Sequence, residues 1–104
     1  MKEITYRDRL VRDLQALPND KKALGKKCNP FEFEWRRRSI ADRERLLSQL
    51  DTQERIIIER IVINREKAAA LTAETGLTAT ELYFVKEDAL DKLLMLRHGA
   101  AYRP

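Results

Sequence analysis

The sequence is poor in the residues that build metal sites, disulfides and sheets. It contains one cysteine, Cys28, and one histidine, His98. A single cysteine excludes an internal disulfide, and these two residues are too few soft ligands for a structural zinc. Three glycines and three prolines in 104 residues are fewer than the many turns of a sandwich or barrel require. We therefore expect no metal and no cofactor.

Long hydrophobic runs are also absent. The uncharged apolar stretches span only a few residues, such as Ile56, Ile57 and Ile58, whereas a membrane-spanning helix needs about 20. The N-terminal stretch M-K-E-I-T-Y-R-D lacks the apolar centre of a secretory signal. These absences predict a cytoplasmic protein that does not insert into a membrane.

The chain is rich in charge mixed with apolar side chains. Charged residues make up 37% of the sequence and hydrophobic residues 43%, a balance that is typical of amphipathic helices. At 104 residues the chain has the length of one ordinary domain with one core. The composition predicts a small all-α protein.

The excess of positive charge lies in the N-terminal half. Residues 1–50 hold 13 Lys and Arg against 8 Asp and Glu, whereas residues 51–104 hold 8 against 9. We therefore divide the chain into a basic helical part, residues 1–50, and a second part, residues 51–104, within one compact unit. A basic half favours a polyanion such as nucleic acid as partner, although ordinary solvated helices also carry a modest excess.

Apolar side chains at three- and four-residue spacing predict two helices in the basic part. The first covers residues 5–17 and is expected to end at Pro18. Residues 31–35 alternate aromatic and acidic side chains, which leaves open a short extended segment or an irregular lead into a helix. Ser39 and Asp42 have the spacing of a capping pair, so the second helix is expected to open at Ser39.

Three further helices are predicted after residue 50. Asp51 and Glu54 repeat the capping spacing ahead of an apolar helix that runs to Asn64. Residues 65–75 are rich in alanine and favour a helix, and Gly76 stands where a left-handed residue ends one.

The last helix begins with a capping box. Thr78 and Glu81 have its T-x-x-E spacing, and the apolar rhythm continues to His98. A helix, a short turn with glycine and a second helix have the spacing of a helix-turn-helix, in which the second helix is presented to the DNA major groove. Many helical hairpins with a glycine turn bind no DNA, so the spacing alone leaves both alternatives open.

The order of residues around this motif resembles a known family. The patterns L-x-x-x-E-R-I-I, A-x-x-T-G-L-T-x-x-x-L and A-L-x-K-L are similar, without a gap, to the fourth region of bacterial sigma factors, which reads promoters with a helix-turn-helix. Within that group, L-Y-F-V-K-E-D-A-L most resembles the phage transcriptional regulators of the ArpU/RinA type, small proteins linked to late-gene control. The resemblance implies a phage or prophage origin and sequence-specific binding to double-stranded DNA. The matched positions are Leu50, Glu54, Arg55, Gly76, Leu77, Thr78, Leu82, Ala89, Leu90 and Leu93.

Most of the matched residues are expected to support the fold, so base contacts are expected from other side chains. Four leucines, namely Leu77, Leu82, Leu90 and Leu93, are expected to pack the second helix of the motif against the first. The candidates for base contact are the outward side chains in the first turns of the last helix, because only these face the groove. They are Ala79, Thr80, Tyr83, Phe84 and Lys86.

The same helix carries more negative than positive charge. Phe84 stands where the resembled group often has a basic residue, and residues 79–92 hold four acidic side chains against two lysines. Because phosphate attraction supplies most non-specific affinity for DNA, it is expected from basic residues elsewhere. The candidates for phosphate contact are Arg65, Lys67, Arg36, Arg37 and Arg38. For the three consecutive arginines, a solvated helix start above a buried Trp35 is an equally weighted alternative.

A protein-interaction module is the competing hypothesis. It would keep the helix-turn-helix fold and bind another protein through Tyr83, Phe84 and the F-E-F-E-W segment, as an anti-repressor or an inhibitor of a host factor. RNA polymerase and a second copy of the chain are further candidate partners. An enzyme is the least favoured class. The sequence shows no nucleophile–base pair around His98, no glycine-rich phosphate loop and no metal cluster.

Overall fold

The computed structural model describes residues 5–26 and 29–99. In these ranges the chain forms five α-helices and one π-helical segment and no β-strand, which confirms the predicted all-α class. Cys28 lies outside the described residues. No helix in this part of the chain is both long enough and apolar enough to cross a membrane. The helices are α1 (Tyr6–Leu24), α2 (Pro30–Ser48), α3 (Thr52–Ile57), the π-helical segment (Ile58–Ile63), α4 (Ala68–Thr75) and α5 (Ala79–His98).

Helix α1 is longer than the sequence indicated. It runs through Pro18 without a break, so the predicted end at this residue is wrong. Proline removes one backbone hydrogen bond and normally ends or kinks a helix. Here the turns on both sides of it are held by tertiary contacts. Leu17 is buried before Pro18, and after it the Asp20 carboxylate forms an ion pair of 2.7 Å with Arg43 of α2.

Helix α2 begins earlier than predicted. The Asn29 side chain caps it by accepting from the backbone N–H of Glu32 at 2.8 Å, and Pro30 occupies the first helical position, which suits its restricted φ. Residues 31–35 are helical, so both alternatives for this stretch were wrong. The predicted start at Ser39 is also wrong, because Ser39 lies in the helix interior and accepts hydrogen bonds from Arg43.

Helix α3 starts where predicted and passes directly into the π-helical segment. The Asp51 side chain accepts from the Glu54 N–H at 2.8 Å and the Glu54 side chain accepts from the Asp51 N–H at 3.0 Å, which confirms this capping pair. The π-helical segment ends at Asn64. Arg65 then adopts a left-handed backbone conformation with φ of 57°, which is uncommon for a residue other than glycine and turns the chain toward α4.

Both halves of the chain contribute to one main core. Its buried members come from α1, α2, the turn after α2, the π-helical segment and α5, so the basic part does not form a separate core. They are Leu10, Leu14, Leu17, Ile40, Leu47, Leu50, Ile58, Val62, Ala89, Leu90, Leu93 and Leu94. A smaller buried cluster of Ile57, Leu71 and Leu82 joins α3, α4 and the start of α5.

Candidate nucleic-acid interface

The turn between α4 and α5 has the local geometry that the sequence predicted. Gly76 is left-handed, with φ of 73°, and its N–H donates to the Thr72 carbonyl at 3.1 Å. The Thr78 hydroxyl accepts from the Glu81 N–H at 3.1 Å, and the Glu81 carboxylate accepts from the Thr78 N–H at 3.2 Å. The capping box is therefore confirmed, and it uses the Glu81 side chain for the fold.

The smaller buried cluster sets how α5 leaves this turn. Leu82, in the first turns of α5, packs with Leu71 of α4 and Ile57 of α3, and Leu77 packs against them. The prediction that Leu90 and Leu93 pack α5 against α4 is wrong, because both lie in the main core with residues of α1 and α2. The start of α5 is thus held by α3 and α4, and its second half by the rest of the molecule.

Four of the five predicted base-contacting side chains are exposed. Ala79 and Thr80 face solvent, and the Thr80 hydroxyl has no hydrogen-bond partner among the described residues. Tyr83 is 54% exposed and Phe84 58%, and their rings meet edge to face with centroids 5.7 Å apart. These side chains present a polar, methyl and aromatic surface that the fold itself does not use.

Lys86 is less accessible than the other candidates. Its side chain is about a quarter exposed, its ammonium lies 5.2 Å from the centre of the Tyr83 ring, and it is 3.6 Å from the Glu87 carboxylate. A contact from Lys86 to guanine or phosphate would have to replace these interactions.

Several acidic side chains of this helix, Glu81 and Glu87 among them, are engaged by the protein. Glu87 forms an ion pair with Arg7 of α1, and this hydrogen bond raises the pKa of the Arg7 guanidinium. Glu81 is occupied by the capping box. These contacts offset part of the negative charge of α5. The helix would therefore repel DNA phosphates less than its number of acidic residues indicates.

Two of the predicted phosphate contacts, Arg65 and Lys67, lie in the turn that leads into α4. The Arg65 guanidinium donates to the Gln15 side chain at 3.3 Å and has no carboxylate partner among the described residues. Lys67 occupies the position before α4 with an exposed side chain that makes no capping bond. Both cations therefore lie just before the helix that precedes the turn between α4 and α5.

The structure does not bring the three consecutive arginines to the start of α5. Arg36 shares a pocket with Arg97, which follows Ala79 by about 27 Å of helix at 1.5 Å per residue. Arg37 donates to Glu34 at 3.0 and 3.3 Å, which lowers the pKa of that carboxyl group, and Arg38 lies 3.9 Å from the same group. The geometry therefore separates this predicted phosphate site from the predicted base contacts.

Arg60, whose ion pairs hold α4 against the π-helical segment, was not predicted from the sequence. Its guanidinium donates to Glu66 at 2.8 and 3.0 Å and forms a second ion pair with Glu74 of α4. These bonds raise the pKa of Arg60 and lower the pKa of both carboxyl groups. The partners are six and fourteen residues away in sequence, outside the helical spacings that a sequence pattern reveals.

The Arg60 network predicts that the anchoring of α4 weakens in acid. Because Glu66 and Glu74 have folded-state pKa values below their ordinary 4.5, their contribution to stability is complete above pH 4.5 and is lost as the pH falls through the lowered values. Arg60→Gln should therefore reduce the melting temperature at pH 7, and its difference from the wild type should shrink as the pH falls below 4.5, measured by circular dichroism. Arg55→Gln, which removes an exposed pair with Glu59, is the matched control and should change the melting temperature little. A difference that does not shrink with falling pH would mean that Arg60 acts through packing of its stem.

The described residues contain no group of three or more His, Cys, Asp or Glu side chains arranged to hold a metal ion. Comparison with known proteins found no matching family model, no matching curated protein and no matching solved structure.

Proposed function

We propose that this protein is a sequence-specific DNA-binding transcriptional regulator that reads the major groove with the first turns of α5. The observation that carries the proposal is the exposure of Ala79, Thr80, Tyr83 and Phe84 directly after a capped helix start. Surfaces that a fold leaves exposed and apolar or unpartnered are frequent binding sites. The resemblance to the fourth region of sigma factors and to the ArpU/RinA-type regulators supports a phage-encoded role in transcription. The proposal includes a cytoplasmic location, because the protein must reach DNA.

Each exposed side chain suits a different contact. The Thr80 hydroxyl can bond a base edge or a phosphate, and the Ala79 methyl or the Phe84 ring can contact a thymine methyl. Arg65 and Lys67 would bind phosphates beside the motif. We assign no phosphate contact to Arg36, Arg37 or Arg38, because Arg36 shares a pocket with Arg97 near the opposite end of α5 and the other two follow Arg36 directly in α2.

Selection of bound duplexes from a randomised DNA pool, at near-physiological salt, tests the proposal. Enrichment of a motif supports it, and the symmetry of that motif reports how many half-sites are read. Absence of any enriched sequence, with the protein shown to be folded, would contradict it. That outcome would favour the protein-interaction hypothesis, in which Tyr83 and Phe84 contact another protein.

Two single variants then separate base contact from phosphate contact. Thr80→Ala is expected to relax discrimination at one base position with a modest loss of affinity, whereas Lys67→Ala should weaken binding to all sequences and lower the salt slope by about 1. Arg36→Ala removes the same charge at the far end of α5 and is the matched control, so it should change neither quantity. Equal effects of Lys67→Ala and Arg36→Ala would contradict the assignment of phosphate contacts.

A further inference from the structure

The N-terminal half of α2 is a helix without a buried side. All three buried residues of α2, Ile40, Arg43 and Leu47, lie in its second half. In its first half Phe31 is 81% exposed and Trp35 66% exposed. A short helical segment is only marginally stable without tertiary packing. Exposed apolar patches, here two aromatic rings on the first half of α2, mark contact surfaces.

The exposed side of α2 has a regular pattern along its whole length. Side chains at alternating spacings of four and three residues lie on one side of the helix. We name this set the α2 stripe, and every member is exposed. Its members are Phe31, Trp35, Arg38, Asp42, Arg45 and Gln49, the last of which is the C-cap residue of α2. The buried residues of α2 lie on the opposite side of the helix.

We propose that the α2 stripe pairs with the α2 stripe of a second copy of this chain, the two helices running antiparallel about a two-fold axis near residue 40. In this register, residues equally far from position 40 face each other across the axis. Arg38 then faces Asp42 of the other copy, and Trp35 faces Arg45 of the other copy. The first contact is an ion pair and the second a cation–aromatic contact, and the symmetry forms each of them twice.

The charges of the α2 stripe favour an antiparallel second copy over a parallel copy or a nucleic acid. A parallel pairing would set Arg38 against Arg38 and Asp42 against Asp42, which is repulsive. A nucleic acid would meet Asp42 and the neighbouring Glu34 as well as the arginines, so its phosphates would be repelled along part of the stripe. Only the antiparallel copy matches each charge with an opposite charge or an aromatic ring.

The surface beside the stripe fits a helix pair. The residues that flank position 40 are Ser39 and Ala41, whose small side chains let two helices approach closely near the axis. Leu96 of α5 lies alongside Leu46 and Gln49 and is about half exposed, which adds apolar area to the contact. Within one copy Arg45 pairs with Asp42 and Arg38 with Glu34, but these pairs are exposed and cost little to exchange.

Sedimentation velocity without DNA tests the proposal, from about 1 µM to about 1 mM, the range over which weak dimers dissociate. The wild type should change from monomer to dimer across this range. Trp35 is the only tryptophan of the chain, so its fluorescence should shift to shorter wavelength as the dimer forms. Trp35→Ala should weaken the dimer roughly tenfold or more, whereas Phe84→Ala, an exposed aromatic outside the stripe, should leave it unchanged.

A charge exchange tests the register. Arg38→Asp and Asp42→Arg should each be monomeric, because each homodimer would then set like charges against each other. An equimolar mixture of the two variants should dimerise again, since both contacts become Asp against Arg. A wild type that stays monomeric at the highest concentration, or single variants that dimerise as well as the wild type, would overturn the proposal. The assay contains no DNA, so its result does not depend on whether the protein binds DNA.

Discussion

Leu82→Ala is expected to lower the free energy of unfolding by about 3 kcal/mol. Leu82 is almost fully buried and belongs to the small cluster with Ile57 and Leu71 that holds α4 and the start of α5. Removal of a leucine side chain from such a site leaves a cavity that costs about 3–5 kcal/mol, a large share of the total stability of a domain of this size. The small cluster has few other members, so it cannot compensate by repacking.

Urea unfolding followed by circular dichroism measures the loss for Leu82→Ala. Met95→Ala, on the exposed side of the same helix, is the matched control and should change stability by less than about 0.5 kcal/mol. Hydrogen exchange should locate the effect, with α4 and the first turns of α5 losing protection before the main core does. A loss below about 1 kcal/mol would contradict the role assigned to this cluster.

The second half of the fold was predictable because its signals are local. The Asp51 and Thr78 caps each act on a residue three positions later, and Gly76 satisfies a conformational demand of its own backbone. Such short-range chemistry is readable from sequence. The capping spacing also predicted that α2 starts at Ser39, which is wrong. A serine three residues before an aspartate also occurs inside helices. The true start signal, Asn29 followed by proline, was present ten residues earlier.

The errors in the first half have a long-range cause. Nothing near Pro18 in the sequence indicates that α1 continues, since the bonds from Arg43 come from another helix. The same limit applies to the site. The helical spacing along α5 predicted that the Thr80 and Phe84 side chains face outward, and both are exposed. The distance of Arg36 from them depends on how α2 packs beside the end of α5, which no local pattern encodes.

Arg43→Met is the second substitution with a large expected effect, a loss of about 2–3 kcal/mol. Arg43 is 6% exposed, and its guanidinium joins the two turns of α1 on either side of Pro18. It donates to the Asp13 carbonyl at 2.8 Å and forms an ion pair of 2.7 Å with the Asp20 carboxylate. Methionine fills similar space but removes these contacts of a buried charge, and a hydrogen bond that involves a charged group contributes about 1.5–3 kcal/mol. The Asp20 side chain is one-third exposed, so water can hydrate its carboxylate in the variant. This hydration reduces the part of the stability loss that comes from Asp20.

Chemical denaturation of Arg43→Met and of Arg9→Met, the same change at an exposed site of α1, separates the buried contact from a general effect of charge. Arg9→Met should change stability by less than about 0.5 kcal/mol. Arg43→Lys should restore only part of the loss, because one ammonium cannot reach every acceptor that the planar guanidinium bonds. Because α1, α2 and α5 share the main core, the transition should stay single and shift as a whole. If Arg43→Met unfolds like the wild type, the passage of α1 through Pro18 must be secured by the burial of Leu14 and Leu17 alone.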